Sequence, residues 1–251
     1  MISILQAGAA NPGVAENGFA AFTSSGAFFL MIAIGIVGFI VQQRLQYVFK
    51  KYAQVASPNG MSGAEAAMKM LRDNNIHDVK VTHVGGHLTD HYNPATKTVN
   101  LSDSVYSSRS VSAVAVACHE CGHAIQHARE YAPLVLRSQL VPLVSFSSRM
   151  ATWVIIAGML LLSSGLGEPI CWVGIAMIGM SALFSIVTLP VEYNASSRAL
   201  EWMESSRTVQ GVALTQASEA LRWAARTYLV AALSAIATVL YYVMIVMGRR
   251  D

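Results

Sequence analysis

Four stretches of this chain are long, apolar and free of charge, and they restrict its fold more than anything else in it. Residues 21–41 end in "AFFLMIAIGIVGFIV", 150–167 contain "MATWVIIAGMLLL", 170–191 contain "CWVGIAMIGMSALFSIVTL", and 227–247 contain "YLVAALSAIATVLYYVMIV". Each is close to the ~20 residues with which an α-helix crosses ~30 Å of hydrocarbon. A single stretch of this kind can be the core helix of a soluble protein. Four of them in 251 residues describe transmembrane helices. The composition agrees, because 12% charged residues is about half of the ~25% usual in soluble domains. A net charge of +3 without a basic run argues against a nucleic-acid partner. Three cysteines, Cys118, Cys121 and Cys171, are odd in number and unsuited to a disulfide framework. The first 20 residues have no basic region and no compact apolar core, so they do not read as a cleavable signal peptide.

Basic residues orient the spans. None precedes Arg44, and 15 of the 17 lie between Arg44 and Arg226. By the positive-inside rule the N-terminal 1–20 segment is extracytoplasmic, while 42–149 and 192–226 face the cytoplasm. The closing "GRRD" then falls on the wrong side, a conflict that bears on the 227–247 span. The expected architecture is a mainly α membrane protein whose four helices carry a small α+β cytoplasmic domain over 42–149. Within that domain "NGMSGAEAAMKMLRDNN" reads as a short helix with a Ser62/Glu65 capping box. "DVKVTHV" and "KTVNL" alternate like strands, and "GGHLTDHYNPAT" between them has loop composition. "RSVSAVAVACHECGHAIQHAREYA" reads as a long helix ended by Pro133.

That helix contains His119-Glu120-x-x-His123. Side chains at i and i+4 lie one turn apart on one face, so two imidazoles can share a Zn²⁺. Glu120 is about 60° from His123 around the helix and can reach a water on the metal without binding it. The same stretch holds a Cys-x-x-Cys pair. Cys121 is about 160° from either histidine, and both thiols lie mid-helix rather than at an activating N-terminus. They read as packing residues on the back face. His127 lies about 12 Å along the axis from His119, too far for the same tetrahedral site. Arg129 stands where a third histidine of the longer H-E-x-x-H-x-x-G-x-x-H pattern would be, and Gln126 where its glycine would be.

A catalytic zinc takes three protein ligands and keeps one open position. The candidate third ligand is Glu192 in "LPVEYNASSRALEWM", because the hairpin formed by 150–167 and 170–191 leaves the membrane near the His119 helix and returns to it. "LTDHYNPATKTVNLSDSVY", "RSVSAVAVACHECGHAIQHAREYAPLVLRSQLVP", "VTLPVEYNASSRAL" and "ARTYLVAAL" together resemble the YugP-like membrane zinc metallopeptidases. The resemblance implies a gluzincin-like, zincin-like domain with His119, His123 and Glu192 as zinc ligands and Glu120 as catalytic base. Related enzymes often place an aspartate four residues after the glutamate ligand to orient a histidine. Ser196 stands there in this chain, so a carboxylate in that role is expected from elsewhere. Asn93 replaces the aspartate of the family's usual "DHYDP".

The implied reaction is peptide-bond hydrolysis by a zinc-activated water, with Glu120 taking the proton and passing it to the leaving amine. His87, His91, Tyr92 and Tyr193 are candidate donors to the developing oxyanion or to substrate. A zincin commonly adds its substrate as a strand on a sheet edge, which "KTVNL" or "DVKVTHV" could supply. The expected setting is the plasma membrane of a bacterium, with the site facing the cytoplasm. The expected substrates are peptides or membrane-protein segments near the bilayer surface; oligomeric state has no signal. Two other readings stand beside it. In one, zinc only staples two cytoplasmic segments together. In the other, histidines line a transport path, although all seven lie between His77 and His127, outside the spans.

Overall fold

The computed structural model describes residues 12–86 and 88–248, with side chains from Phe28 onward. Residues 1–11 of the expected N-terminal segment, His87 and the last three residues of the "GRRD" tail lie outside the described residues. The chain is mainly helical. Its elements are α1 (Pro12–Tyr52), α2 (Gly63–Asp73), β1 (Lys80–Val84), β2 (His91–Asn93), β3 (Thr98–Ser102), α3 (Asp103–Tyr106), α4 (Val111–Ala128), α5 (Ala132–Leu160), α6 (Gly167–Ser205) and α7 (Gly211–Met247).

Four helices, α1, α5, α6 and α7, are long and apolar enough to cross a membrane. Only 6% to 22% of their most apolar windows is buried. Phe29, Trp153 and Leu160 are 67%, 69% and 78% exposed, which suits lipid and not the core of a soluble protein. The helices run well past the apolar stretches. α6 has 39 residues, roughly 58 Å at 1.5 Å per residue, and continues through Pro190 to carry Glu192 on the same helix. α5 starts at Ala132, so Pro133 does not end the preceding helix. That helix, α4, ends at Ala128 in a turn with Glu130 at φ 48°, and Pro133 sits in the first turn of α5, where a missing N–H is tolerated.

The chain divides into two compact units. One gathers the chain up to Ile36, Val144–Ala182 and the chain from Leu233. In it Gly158 on α5 admits Cys171 of α6, whose Sγ would lie 2.6 Å from a Cβ at that position. Cys171 and Ile175 also pack with Val246 of α7.

The other unit comprises Val37–Leu143 and Leu183–Ala232. α2 begins at the expected capping box: Ser62 Oγ accepts from Glu65 N, and the Glu65 carboxylate accepts from Ser62 N. Its buried face, including Met70 and Leu71, packs on α4. α4 is capped by Ser110, which accepts from Ala113 N. Its opening run of Val and Ala is buried nearly all round, which lets neighbours approach closely. The sheet has order β1-β3-β2, with β1 parallel and β2 antiparallel to β3. "KTVNL" therefore forms the central strand and offers no free edge. β2, inside the stretch with loop composition, is an edge strand packed against α4. Its three residues are too few for an alternating pattern to register. Asn93 closes β2 in a turn, its Oδ1 accepting from the N–H groups of Ala95 and Thr96, a task an aspartate oxygen performs equally well.

Candidate metal centre and cleft

Two helices bring the candidate ligands together, and a glycine sets their spacing. A Cβ at Gly122 of α4 would lie 2.5 Å from the carbonyl oxygen of Ala195 on α6. The absence of one lets the two backbones touch. Glu192, one turn before Ala195, then reaches the face of α4 that carries His119 and His123. Glu192 Oε2 lies 3.3 Å from His119 Nε2 and 3.6 Å from His123 Nε2. The donor atoms of the three residues all fall within 4.8 Å of one another. A tetrahedron with ligand bonds of about 2.05 Å has edges of about 3.3–3.4 Å, so these separations suit one small cation.

The outer hydrogen bonds point the same way. Gln126 is fully buried; its Nε2 donates to Val191 O at 2.7 Å and to Asn194 Oδ1 at 3.0 Å. Its Oε1 is therefore left to accept from His123 Nδ1, 3.0 Å away. The proton of neutral His123 then sits on Nδ1, and the Nε2 lone pair faces Glu192. Ser196 Oγ stands 3.1 Å from His119 Nδ1 and can accept in the same way. Two imidazole lone pairs and one carboxylate oxygen thus converge, and Glu192 Oε2 is buried with no hydrogen-bond partner. Such a gathering of acceptors lacks a positive centre. Burial disfavours charge on Glu192, but the imidazoles beside it, in their protonated form, outweigh this and hold the carboxyl well below the usual carboxylate range. The residues present fit a zinc ion with an outer layer that fixes ring orientation.

Glu120 is placed beside this group without joining it. Its Oε2 accepts from the backbone N–H of Tyr92 in β2 at 3.0 Å, so the edge strand itself positions the carboxylate. Glu120, His123 and Glu192 share a cleft of about 1220 Å³ with Asp90, His91 and Tyr92 on the β2 side, Arg137 of α5 and Tyr228 of α7. His91 lines the cleft with both ring nitrogens engaged, Nδ1 by Thr89 O at 2.8 Å and Nε2 by Asn100 Nδ2 at 3.2 Å. Tyr193 is 48% exposed and is not among the residues lining the cleft. His127 lies outside the candidate ligand group, its Nδ1 2.8 Å from the Tyr92 hydroxyl. Cys118 and Cys121 are buried as free thiols, and burial pushes both upward, away from thiolate formation.

Four residues of this site escape a reading of the sequence. Ser196 has the right spacing, one turn after Glu192, but its hydroxyl takes the place in which a carboxylate is expected. Gln126 is three residues after His123 and hence on its face. Tyr228 and Arg137 carry no local signal, because only the packing of α5 and α7 brings them to the cleft.

Residues 27–247 match the model of a family described as "Putative neutral zinc metallopeptidase". The chain is also 41% identical over 223 residues to the "Putative membrane protease YugP" of Bacillus subtilis (strain 168), covering 89% of this chain and 97% of that protein. No solved structure matches it.

Proposed function

The chain belongs to the neutral zinc metallopeptidase family, and from that premise we propose that it is a membrane-embedded zinc endopeptidase cutting peptide bonds near the cytoplasmic membrane surface. One observation carries the reading: three acceptors, half-buried on His119 and buried on His123 and Glu192, converge with no donor among them, beside a second carboxylate, Glu120, that stands outside the group. When bound, zinc supplies Lewis acidity toward the peptide carbonyl and brings the pKa of a water to about 7. Glu120 takes the proton of the attacking water and passes it to the departing amine. Gln126 and Ser196 keep the two imidazoles in register through this exchange. Tyr228, which lines the same cleft as Glu192, is a phenol placed to support the ligand carboxylate.

A peptide docks as a further strand along β2, the sheet edge that faces α4. Tyr92 N–H already turns outward from β3 to Glu120 on that edge. The basic residues of 42–149 and 192–226 support this orientation, because the positive-inside rule puts such segments on the cytoplasmic side. Glu192 lies two residues beyond Pro190, at the end of the third apolar stretch, so the site sits close to the bilayer surface of a bacterial plasma membrane. A zinc that merely tied α4 to α6 would use a closed, four-ligand shell; three ligands opening on a cleft favour catalysis.

Glu120→Gln separates these readings. In detergent, zinc content is measured beside hydrolysis of unstructured peptides. The variant keeps its zinc and loses hydrolysis by at least roughly 100-fold. Hydrolysis at the wild-type rate overturns the assignment of Glu120, and a zinc-loaded wild-type protein that cuts nothing overturns the enzymatic reading.

A further inference from the structure

The α5 side of the cleft is mostly aliphatic, with Leu134, Val135, Leu136 and Val141, and Arg137 is the one Lys or Arg among the described residues lining the cleft. Arg137 Nε is buried without a hydrogen-bond partner. None of the ion pairs formed by the described residues involves it. Its guanidinium carbon stands 5.8 Å from the Phe184 ring, which steadies the cation without neutralising it. It lines the same cleft as Tyr228 and the candidate ligands His123 and Glu192. Of the acidic groups lining the cleft, Asp90 accepts from Ser102 N and Oγ at 2.7 and 2.9 Å, Glu120 accepts from Tyr92 N, Glu192 faces the two histidines, and Glu130 forms no ion pair with Arg137.

A partly buried guanidinium with no counter-charge is costly unless a ligand brings one. Its planar fork matches a carboxylate through two parallel hydrogen bonds. We propose that Arg137 determines specificity by receiving a carboxylate of the peptide, either an Asp or Glu side chain or the free C-terminus, while the α5 aliphatics take an apolar neighbour. This rests on the peptidase reading above and narrows its substrates to peptides that pair a carboxylate with apolar residues.

The test uses the full-length, zinc-loaded protein in detergent and a series of quenched fluorescent peptides. A single Glu is moved one position at a time, each peptide has a Gln counterpart, and both forms are made with free and amidated C-termini. At one position, or for the free C-terminus, the wild type favours the carboxylate by roughly 10- to 100-fold in kcat/KM, chiefly through KM. Arg137→Gln brings that ratio close to one, and Arg137→Glu turns the preference toward Lys at the same place, with zinc content unchanged in both. The proposal is overturned if the wild type shows no carboxylate preference anywhere. It is equally overturned if Arg137→Gln slows the Glu and Gln peptides by one common factor, the mark of a group acting on the reacting carbonyl. If the zinc-loaded wild type cuts no peptide, the hydrolytic reading fails on its own. Fluorescence anisotropy with the same peptides then decides for Arg137: a carboxylate preference in binding that Arg137→Gln removes upholds it, and equal affinities sink it.

Discussion

Replacing Gly122 by alanine should remove zinc from the protein without touching a ligand. The added Cβ would stand 2.5 Å from Ala195 O and 3.0 Å from Ala195 C and Cα, about 0.9 Å short of ordinary contact with that oxygen. Both partners are helix backbone, so no side chain can swing aside. Either α4 or α6 must shift, and Glu192 moves with Ala195 because it lies one turn away on the same helix. Zinc ligand distances tolerate only about 0.2 Å, so the carboxylate leaves the group and two imidazoles remain. The loss should exceed the roughly 10- to 100-fold that follows removal of an outer hydrogen-bond partner. Overpacking should also destabilise the fold by about 1–3 kcal/mol, against a helix-propensity gain of up to about 1 kcal/mol for alanine over glycine. The assay is competition for zinc with a fluorescent chelator in detergent, alongside thermal unfolding followed by circular dichroism. Gly179, where an added Cβ would meet no atom within 4 Å, gives the control substitution, with zinc affinity expected at the wild-type level. A folded Gly122→Ala protein that binds zinc within about threefold of wild type refutes the claim that this contact sets the ligand spacing.

Two further outcomes follow from the hydrogen bonds of the imidazoles. Ser196→Ala deletes the partner of His119 Nδ1 and should weaken zinc binding by roughly 10- to 100-fold, whereas Ser196→Asp should restore it by offering a carboxylate acceptor; equal affinities in all three proteins would remove Ser196 from the site. Zinc affinity should also fall steeply on acidification. Burial lowers the pKa of His123, but Glu192 and Glu120 outweigh it and raise it above the ordinary histidine value of 6.5, so a proton displaces zinc as pH falls through that raised value. Chelator competition across pH 5–8 reads this directly, and an affinity independent of pH over that window contradicts it.

What the sequence makes readable follows from the range over which each signal acts. His119, Glu120 and His123 share one helical turn, so their relation is fixed by helix geometry before any tertiary contact. Glu192 is reachable at longer range only through the expectation that the two apolar stretches before it cross the membrane and return to the same surface. The ends of the long helices are not readable: hydropathy marks where lipid begins, while α5 and α6 continue as helices into the other unit of the chain. β2 stays hidden because its three residues are ordered by Glu120 and β3, contacts that span 28 residues or join it to another strand. Ser196 stands out in the sequence for what it is not, a carboxylate, although a hydroxyl accepts from imidazole N–H just as well. Arg137 and Tyr228 illustrate the limit, since neither lies in a motif and their place at the cleft is a property of helix packing alone.

The most direct test measures zinc bound per chain, and its affinity, in the wild type and in Glu192→Ala. A centre built from His119, His123 and Glu192 predicts one tightly held zinc in the wild type. It predicts an affinity at least roughly 100-fold weaker in the variant, with the fold retained. Full zinc occupancy at wild-type affinity in Glu192→Ala would contradict it and place the third ligand elsewhere.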